Sequence, residues 1–368
     1  MLPTARLNRL GQSLWLDDIT REMLDSGTLS KYIETWSVTG LTSNPTIFDH
    51  TITHSQSYDG EISRLVRAGT TSEALFFELA IQDLSRAADL FLPIHLRTAT
   101  VDGWVSLEVS PLLAHATRGT VESAKALHAK ASKPNLFIKI PGTREGLPAI
   151  EEAIFDGVPV NVTLLFSPEQ YVAAADAYMK GLERRVDAGR SPDVRSVASL
   201  FVSRWDRAVA ETVPDGLKNR LGIAIGKLAY KAYRDQLGGD RWQRLANLGA
   251  RAQRLLFAST GTKDPAASDV LYVDALAAPN TVNTMPQNTL AATADHGGAS
   301  NPLPHDGGDG AATLAEFARA GIDTAALAER LQTEGADAFV QSWRNLLHAI
   351  DTKSKALADA QAKRGAGQ

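Results

Sequence analysis

The feature that most constrains the fold is a repeated alternation between short apolar runs and longer stretches with helical spacing. Each apolar run is five to eight residues long and ends in polar or turn residues, as buried strands do. Eight such runs predict an α/β fold, a single (β/α)8 TIM barrel with a closed parallel sheet inside a ring of helices. The predicted strands are residues 13–17, 37–42, 103–108, 136–140, 158–165, 197–202, 254–258 and 281–285.

The segments between these runs carry apolar residues at three- and four-residue spacing, which is typical of helices that pack one face on a sheet. The clearest start signal is Ser167-Pro168-Glu169, because it places a capping hydroxyl before a proline at the first helical position. The predicted helices are residues 72–92, 120–131, 146–155, 168–188, 221–237 and 311–320.

Length and composition agree with one large domain. The chain has 368 residues, 44% of them hydrophobic, so it can bury a barrel-sized core. We expect the barrel to occupy residues 1–350 and the polar residues 351–368 to form a frayed tail. A second departure from the rhythm is residues 295–310, which are rich in glycine and proline and predict a mobile loop.

Charge and residue usage exclude several functional classes. The chain has a net charge of −4, so it lacks the excess of lysine and arginine that binding to nucleic acid requires. No apolar run is long enough for a signal peptide or a membrane span, so we expect a cytoplasmic protein that does not enter membranes. The absence of cysteine excludes disulfides, thiolate catalysis and cysteine-bound metals. His296 and His305 lie in the Gly/Pro-rich loop without a rigid element to fix them, so we expect neither a metal nor a cofactor.

Charged side chains lie at or near the C-terminal ends of three predicted strands, and barrel enzymes place their catalytic groups at this end. Asp17 ends the first strand and shares its face with Trp15 by two-residue alternation. Glu108 ends the third strand, and Lys139 lies in the fourth. An acid and an amine therefore converge, either as catalysts or as a buried ion pair that only stabilises the barrel.

Further polar residues lie near other strand ends. Asn161 and Thr163 are two residues apart and share a face of an otherwise apolar strand, where they must find hydrogen-bond partners. Thr42, Ser43 and Asn44 end the second strand. Each of these groups is compatible with substrate binding or with ordinary turn chemistry.

Two sites suit a phosphate group. Arg204 follows the sixth strand, and the seventh runs into a loop that begins at Ser259 and reaches Lys263, with the sequence STGTK. Hydroxyls, backbone N–H groups and a nearby cation are the usual ligands of phosphate, and later loops of barrels commonly bind anions. Taken alone, Lys263 is better explained as a surface residue after a turn.

Taken together, these strand ends resemble the transaldolase family. The similarity is concentrated in GQSLWLDDITRE, GLTSNPTIF, LFIKIPGT and NVTLLFSPEQY, and it extends through PNTVNTMP near the last strand to about residue 350. An ordered set of motifs at successive strand ends is far more specific than any one of them.

The resemblance implies a role for each matched residue. Lys139 is the Schiff-base lysine, Asp17 and Glu108 are the acid–base carboxylates, and Thr163 helps hold a catalytic water near Glu108. The residues implied to bind substrate are Thr42, Asn44, Asn161, Ser199 and Arg204, the last two in the pattern SLFVSR.

One position departs from the family pattern. Many members have S-F-R at the seventh strand, where the arginine is a second phosphate ligand, but this chain has Ser259 followed by TGTK. We expect Ser259 to keep its role and Lys263 to supply the missing charge, as a point charge rather than a bidentate fork.

The predicted function is therefore transaldolase activity in the pentose phosphate pathway, acting on sugar phosphates through a lysine Schiff base, in a monomer or homodimer. Two alternatives stay open. The first is a lysine-dependent fructose-6-phosphate-type aldolase that releases the three-carbon unit instead of transferring it. The second is a catalytically silent barrel that serves as a binding protein, in which Lys139 and Glu108 form only an ion pair.

Overall fold

The computed structural model describes residues 1–43, 45–299 and 301–365. Its centre is a closed barrel of eight parallel strands that neighbour each other in chain order, with the last strand paired to the first. The predicted (β/α)8 fold is confirmed. The strands are β1 Gln12–Leu16, β2 Val38–Thr42, β3 Trp104–Glu108, β4 Leu136–Pro141, β5 Val160–Leu165, β6 Ser196–Phe201, β7 Arg254–Ala258 and β8 Thr281–Met285.

Every predicted strand is present with its ends within two residues of the expected positions. The prediction works because parallel barrel strands are covered on both faces, by helices outside and by packed side chains inside, so they stand out as apolar runs. In β4 and β5, for example, all six residues are buried.

Helices surround the barrel, and all six predicted helices are confirmed. Ser167 caps the helix that begins at Pro168 as expected, since its Oγ accepts a hydrogen bond from the Gln170 N–H at 3.2 Å. No helix of the described ranges is both long and apolar enough to cross a membrane. The helices of these ranges are α1 Pro3–Leu10, α2 Arg21–Asp25, α3 Thr28–Trp36, α4 Pro45–His54, α5 Asp59–Arg67, α6 Ser72–Arg97, α7 Thr117–Ala131, α8 Gly146–Asp156, α9 Pro168–Asp187, α10 Ser203–Val209, α11 Leu221–Gly238, α12 Asp240–Asn247, α13 Leu271–Ala275, α14 Gln287–His296, α15 Gly310–Arg319 and α16 Thr324–Gly365.

Aromatic side chains fill the N-terminal half of the barrel interior. Trp104 and Phe137 stack with ring centroids 4.0 Å apart, and Trp15 lies 6.2 Å from Phe137. Gly40 is required here, because a Cβ atom would lie 2.7 Å from the Trp15 ring. Since side chains alternate along a strand, the residues two positions further along form the next layer toward the C-terminal mouth. That layer contains Asp17 and Lys139.

The last helix, α16, crosses residue 350 and reaches residue 365, so it includes most of the segment predicted to fray. Fraying of this segment stays a prediction. Lys353 contacts the body of the protein near the start of the segment. Its Nζ lies 2.7 Å from the Ile52 carbonyl oxygen and 2.7 Å from an Asp59 carboxylate oxygen. Trp343 lies earlier in the same helix and is fully buried against Phe76 and Phe77.

The Gly/Pro-rich segment connects α14 to α15, and its mobility stays a prediction. Leu303 anchors the segment: its side chain is buried, and its N–H donates to the Ala277 carbonyl oxygen at 2.8 Å. The histidines of the segment have protein partners. His296 lies 2.8 Å from an Asp269 carboxylate oxygen, and His305 packs its ring near Tyr230.

Candidate active site

A cavity of about 280 Å³ opens at the C-terminal mouth of the barrel. Barrel enzymes place their chemistry at this end, because the loops that follow the strands converge there. Eight of the residues singled out from the sequence line this cavity: Asp17, Thr42, Lys139, Thr163, Ser199, Arg204, Ser259 and Lys263.

Lys139 and Glu108 are paired at the floor of this mouth. They are register partners on the adjacent strands β3 and β4, and Lys139 Nζ lies 3.3 Å from Glu108 Oε2. Nζ also donates to the Ser43 carbonyl oxygen at 3.0 Å. Lys139 is 8% exposed and Glu108 is 5% exposed, so the cavity reaches the amine while water is largely excluded around it.

Burial raises the pKa of Glu108 above its usual range, because a charged carboxylate loses its hydration. The ammonium of Lys139 acts in the opposite direction, and the negative charge of Asp17 raises the pKa of Glu108 further. A raised pKa favours the protonated form of a carboxyl group, and a protonated carboxyl group can donate a proton in catalysis.

Glu108 and Thr163 each have a buried oxygen that finds no hydrogen-bond partner among the described residues. The two atoms are Glu108 Oε1 and Thr163 Oγ1. Thr163 lies on β5, and both side chains are almost fully buried. Buried polar atoms normally find a partner, and a bound water or a substrate oxygen is the partner that such atoms accept. This observation fits the predicted role of Thr163 in holding a water near Glu108.

Asp17 follows β1 directly and lines the cavity, whereas its neighbours Leu16 and Asp18 do not. Thr42 Oγ1 donates to Asp17 Oδ1 at 3.0 Å and lies 3.3 Å from the Thr284 hydroxyl. Burial raises the pKa of Asp17, while the charge of Lys139 and then the Thr42 hydrogen bond lower it. The site thus holds two carboxyl groups in different hydrogen-bond environments around one lysine.

Asn161 lies beneath the cavity rather than in its lining. Its Nδ2 donates to Ser106 Oγ at 3.2 Å, and its Oδ1 accepts from Ser199 Oγ at 2.7 Å. The amide therefore positions Ser199, which does line the cavity. Direct contact between Asn161 and substrate stays a prediction, and Asn44 lies outside the described residues.

The cavity becomes cationic at the side formed by β6, β7 and α10. Arg204 packs its guanidinium 5.1 Å from the Phe201 ring centroid and 5.9 Å from that of Phe339. Burial lowers the pKa of Arg204, and the nearby charge of Arg207 lowers it further. Lys263 is exposed at the rim. Neither Arg204 nor Lys263 forms an ion pair with another described residue.

The loop after β7 is held close to the start of α10. Ser259 has a left-handed backbone with φ of 56°, a conformation that costs a non-glycine residue about 1 kcal/mol or more. Its hydroxyl lies 2.9 Å from the Ser203 hydroxyl, and its carbonyl oxygen accepts from the Ser203 N–H at 3.1 Å. These contacts aim Ser259 into the cavity beside Arg204.

Sequence reasoning missed part of the lining, above all Ser203, Arg207, Thr284 and Phe339. Thr284 had a usable signal, because it lies two residues after the inward-facing Val282 in the quoted motif PNTVNTMP. Arg207 lies three residues after Arg204 in α10, on the same helical face. Phe339 gave no local signal, since it comes from α16 and reaches the mouth only through tertiary packing.

Metal binding has no assembled site in the part of the chain that the structure describes. No group of three or more histidine, aspartate or glutamate side chains there is arranged to hold an ion. The functional groups around the cavity are instead the amines of Lys139 and Lys263, two carboxyls, several hydroxyls and guanidinium groups. Such a set can bind an oxygen-rich anion and transfer protons around a nucleophilic amine.

A closed parallel barrel with a buried lysine between two carboxyl groups at its C-terminal mouth defines a class: barrel enzymes built for lysine-dependent aldol chemistry. The chain belongs to the transaldolase/fructose-6-phosphate aldolase family, whose model matches residues 14–350. This finding confirms the resemblance that the strand-end motifs indicated.

Individual relatives are similar over almost their whole length. The chain is 44% identical over 358 residues to a transaldolase of Arthrobacter sp. (strain FB24), covering 95% of this chain and 96% of the relative. It is 44% identical over 357 residues to a transaldolase of Thermobifida fusca (strain YX), covering 95% and 97%. It is 39% identical over 371 residues to transaldolase 2 of Nostoc punctiforme, covering 95% and 97%.

Proposed function

We propose that this enzyme is a transaldolase, a transferase that moves a dihydroxyacetone unit between sugar phosphates. The donor is sedoheptulose 7-phosphate or fructose 6-phosphate, and the acceptor is glyceraldehyde 3-phosphate or erythrose 4-phosphate, as in the pentose phosphate pathway. The names and near-complete coverage of the relatives support the activity. The observation that carries the mechanism is the buried Lys139, which lines the cavity and has its Nζ 3.3 Å from Glu108 Oε2.

The first stage is imine formation at Lys139. Its unprotonated amine attacks the ketone carbon of the donor, and the resulting carbinolamine loses water when its hydroxyl is protonated. Glu108 is placed to give that proton and later to take one from the attacking water in hydrolysis. Thr163 Oγ1, which is buried and unpartnered within the part of the chain that the structure describes, is the second group that can hold this water.

The second stage is carbon–carbon cleavage. Asp17 accepts the proton of the hydroxyl on the carbon beside the bond that breaks, so an aldose leaves with a new carbonyl group. The electrons of the broken bond enter the protonated imine, which leaves an enamine of dihydroxyacetone on Lys139. An acceptor aldehyde then takes up this unit by the reverse steps, and water releases the product. Thr42 keeps Asp17 in place through its 3.0 Å hydrogen bond.

The phosphate end of the substrate lies on the cationic side of the cavity. Arg204 offers a planar fork that can bind two phosphate oxygens, Ser259 offers a hydroxyl, and Lys263 offers an ammonium at the rim. Ser199, positioned by Asn161, lies between this side and the lysine.

A free aldolase is the second candidate, because the matching family includes fructose-6-phosphate aldolase. The two activities differ in what releases the enamine. A transaldolase turns over slowly on fructose 6-phosphate alone and much faster when an aldose phosphate acceptor is added. An aldolase liberates free dihydroxyacetone at the same rate with or without acceptor.

The decisive experiment for the mechanism is reduction with borohydride in the presence of fructose 6-phosphate, followed by mass spectrometric mapping. We expect a three-carbon adduct on Lys139 and none on Lys139→Met. Surface lysines are the internal controls, since Lys125, Lys130 and Lys133 each pair with a carboxylate at 2.6 Å. An adduct on one of these lysines, or no adduct at all, contradicts the mechanism and favours a binding protein.

Three further aspects of the proposal rest on sequence reasoning alone. They are the cytoplasmic location, the monomeric or homodimeric state and the domain limit at residue 350. Sedimentation of the purified protein at several concentrations measures the second of these directly.

A further inference from the structure

Three cationic side chains meet at one side of the cavity: Arg204, Arg207 and Lys263. Within the described part of the chain, none of the three has an ion-pair or hydrogen-bond partner. Cations nearby are paired, since Lys218 Nζ lies 2.8 Å from Asp215 and Arg220 Nη1 lies 2.9 Å from Glu316. The three unpaired charges are therefore a local property of the cavity wall.

The fold holds these like charges together. Arg204 and Arg207 are three residues apart in α10 and so project from the same face of the helix. Lys263 approaches from the loop after β7, which the Ser203–Ser259 contacts at 2.9 and 3.1 Å tie to the start of α10. Arg207 and Lys263 also line an adjoining cavity of about 290 Å³, so together with Ser203 they form the wall between the cavities.

Unpaired like charges at short range repel each other, and a protein keeps such a cluster at a cost unless an anion neutralises it. The charge of Arg207 is felt at Arg204, where it adds to burial in lowering the pKa. The negative charges of Asp17 and Glu334 have the opposite effect and raise the pKa of Arg204. Asp17 is hydrogen-bonded to Thr42, and its one negative charge acts on both Arg204 and Lys263, so it offsets only part of the three positive charges.

We propose that Arg207 is a specificity-determining residue that binds the substrate phosphate together with Arg204 and Lys263. It supplies, from α10, the second guanidinium that the STGTK loop after β7 lacks. This inference rests on the proposed function and adds to it a residue that the family motifs do not point to. Arg204 fixes the phosphate from a half-buried position, whereas Arg207 closes over it from the exposed rim.

The test compares phosphorylated with free ketoses. In Arg207→Gln, we expect the ratio of kcat/KM for fructose 6-phosphate to that for fructose to fall about tenfold, or about 1.4 kcal/mol, mostly through KM. Arg207→Lys should recover part of the loss, since it restores charge without the fork. Arg97→Gln is the matched control, because Arg97 is exposed at the end of α6, which leads into the opposite end of the barrel.

A second measurement does not depend on turnover. Inorganic phosphate should raise the melting temperature of the wild-type protein and of Arg97→Gln, and this shift should shrink in Arg207→Gln. If the phosphate shift and the substrate ratio are both unchanged in Arg207→Gln, the inference is overturned while the lysine chemistry stands. If kcat/KM falls equally for both ketoses, Arg207 acts on the fold and the inference is again wrong. Absence of a Lys139 adduct in the wild type refutes the proposed function without touching the phosphate readout.

Discussion

The Glu108→Gln substitution separates catalysis from structural ion pairing most directly. Glutamine keeps the size of the side chain and a hydrogen-bond acceptor for Lys139 Nζ, now 3.3 Å from Glu108 Oε2, but it cannot take up or release the proton that imine formation requires. General acid–base assistance is typically worth about 10² to 10⁴-fold, which corresponds to about 3 to 5 kcal/mol in the barrier. We expect the rate of imine formation to fall by that factor.

The expected effect on stability is smaller. Burial already disfavours the charged form of Glu108, as its raised pKa shows, so removing its charge relieves desolvation while it weakens the contact with Lys139. The acceptor that remains and the Ser43 carbonyl oxygen at 3.0 Å keep the ammonium hydrogen-bonded. The free energy of unfolding should therefore fall by about 1 to 3 kcal/mol, too little to unfold a barrel of this size.

The assay is the rate at which a borohydride-reducible adduct accumulates on Lys139 after mixing with fructose 6-phosphate, read by mass spectrometry at successive quench times. Thermal unfolding of the same preparations checks the fold. Glu78→Gln is the matched control, because Glu78 pairs with Lys130 at 2.6 Å on the surface and does not line the cavity. An adduct that forms at the wild-type rate in folded Glu108→Gln would remove Glu108 from the mechanism. It would favour the hypothesis that Glu108 and Lys139 form only a structural ion pair.

The remaining predictions address the other carboxyl groups and the absence of metal chemistry. Asp17→Ala should still form the Lys139 adduct but should cleave the donor slowly, and equal loss of adduct in this variant and Glu108→Gln would show that the roles are divided wrongly. Burial and the adjacent Asp17 raise the pKa of Asp18 to about 6 from 3.8, so the folded state holds a proton that the unfolded state loses and stability falls as pH rises between these values. Asp18→Asn should therefore have a larger free energy of unfolding than wild type above pH 6, by at most about 3 kcal/mol, and a higher melting temperature there, with the difference vanishing near pH 4; a constant difference across this range contradicts the assignment. Activity should survive dialysis against EDTA, and loss that a divalent ion restores would indicate metal-dependent aldol chemistry.

Much of the fold could be read from the sequence because barrel strands are buried on both faces. An apolar run between helical stretches leaves a strong local signal, and β7 and β8 begin and end at the predicted residues. The two-residue alternation along each strand placed Lys139 and Asp17 inside the barrel without any structure. The sequence could not show that residues 351–365 continue α16, because what holds them is the contact of Lys353 with residues of α4 and α5.

The candidate site divides in the same way. Candidate reacting groups could be named from single strands, since Glu108 ends β3 and both Lys139 and Thr163 lie near the ends of their strands with inward-facing alternation. Tertiary structure alone decided how these groups are partnered: the amide of Asn161 serves Ser199 and Ser106 beneath the cavity instead of lining it.

The cationic wall depended on tertiary structure most of all. Arg204 follows β6, Lys263 lies in the loop after β7 and Phe339 comes from α16, and their positions in the sequence say nothing about their distance in space. No sequence motif includes Arg207. It reaches the cavity because α10 packs against the loop that follows β7. Alternation and periodicity are local properties that a sequence states directly. The meeting of side chains from distant segments depends on how helices and loops pack around the closed barrel, and that is fixed only when the whole chain has folded.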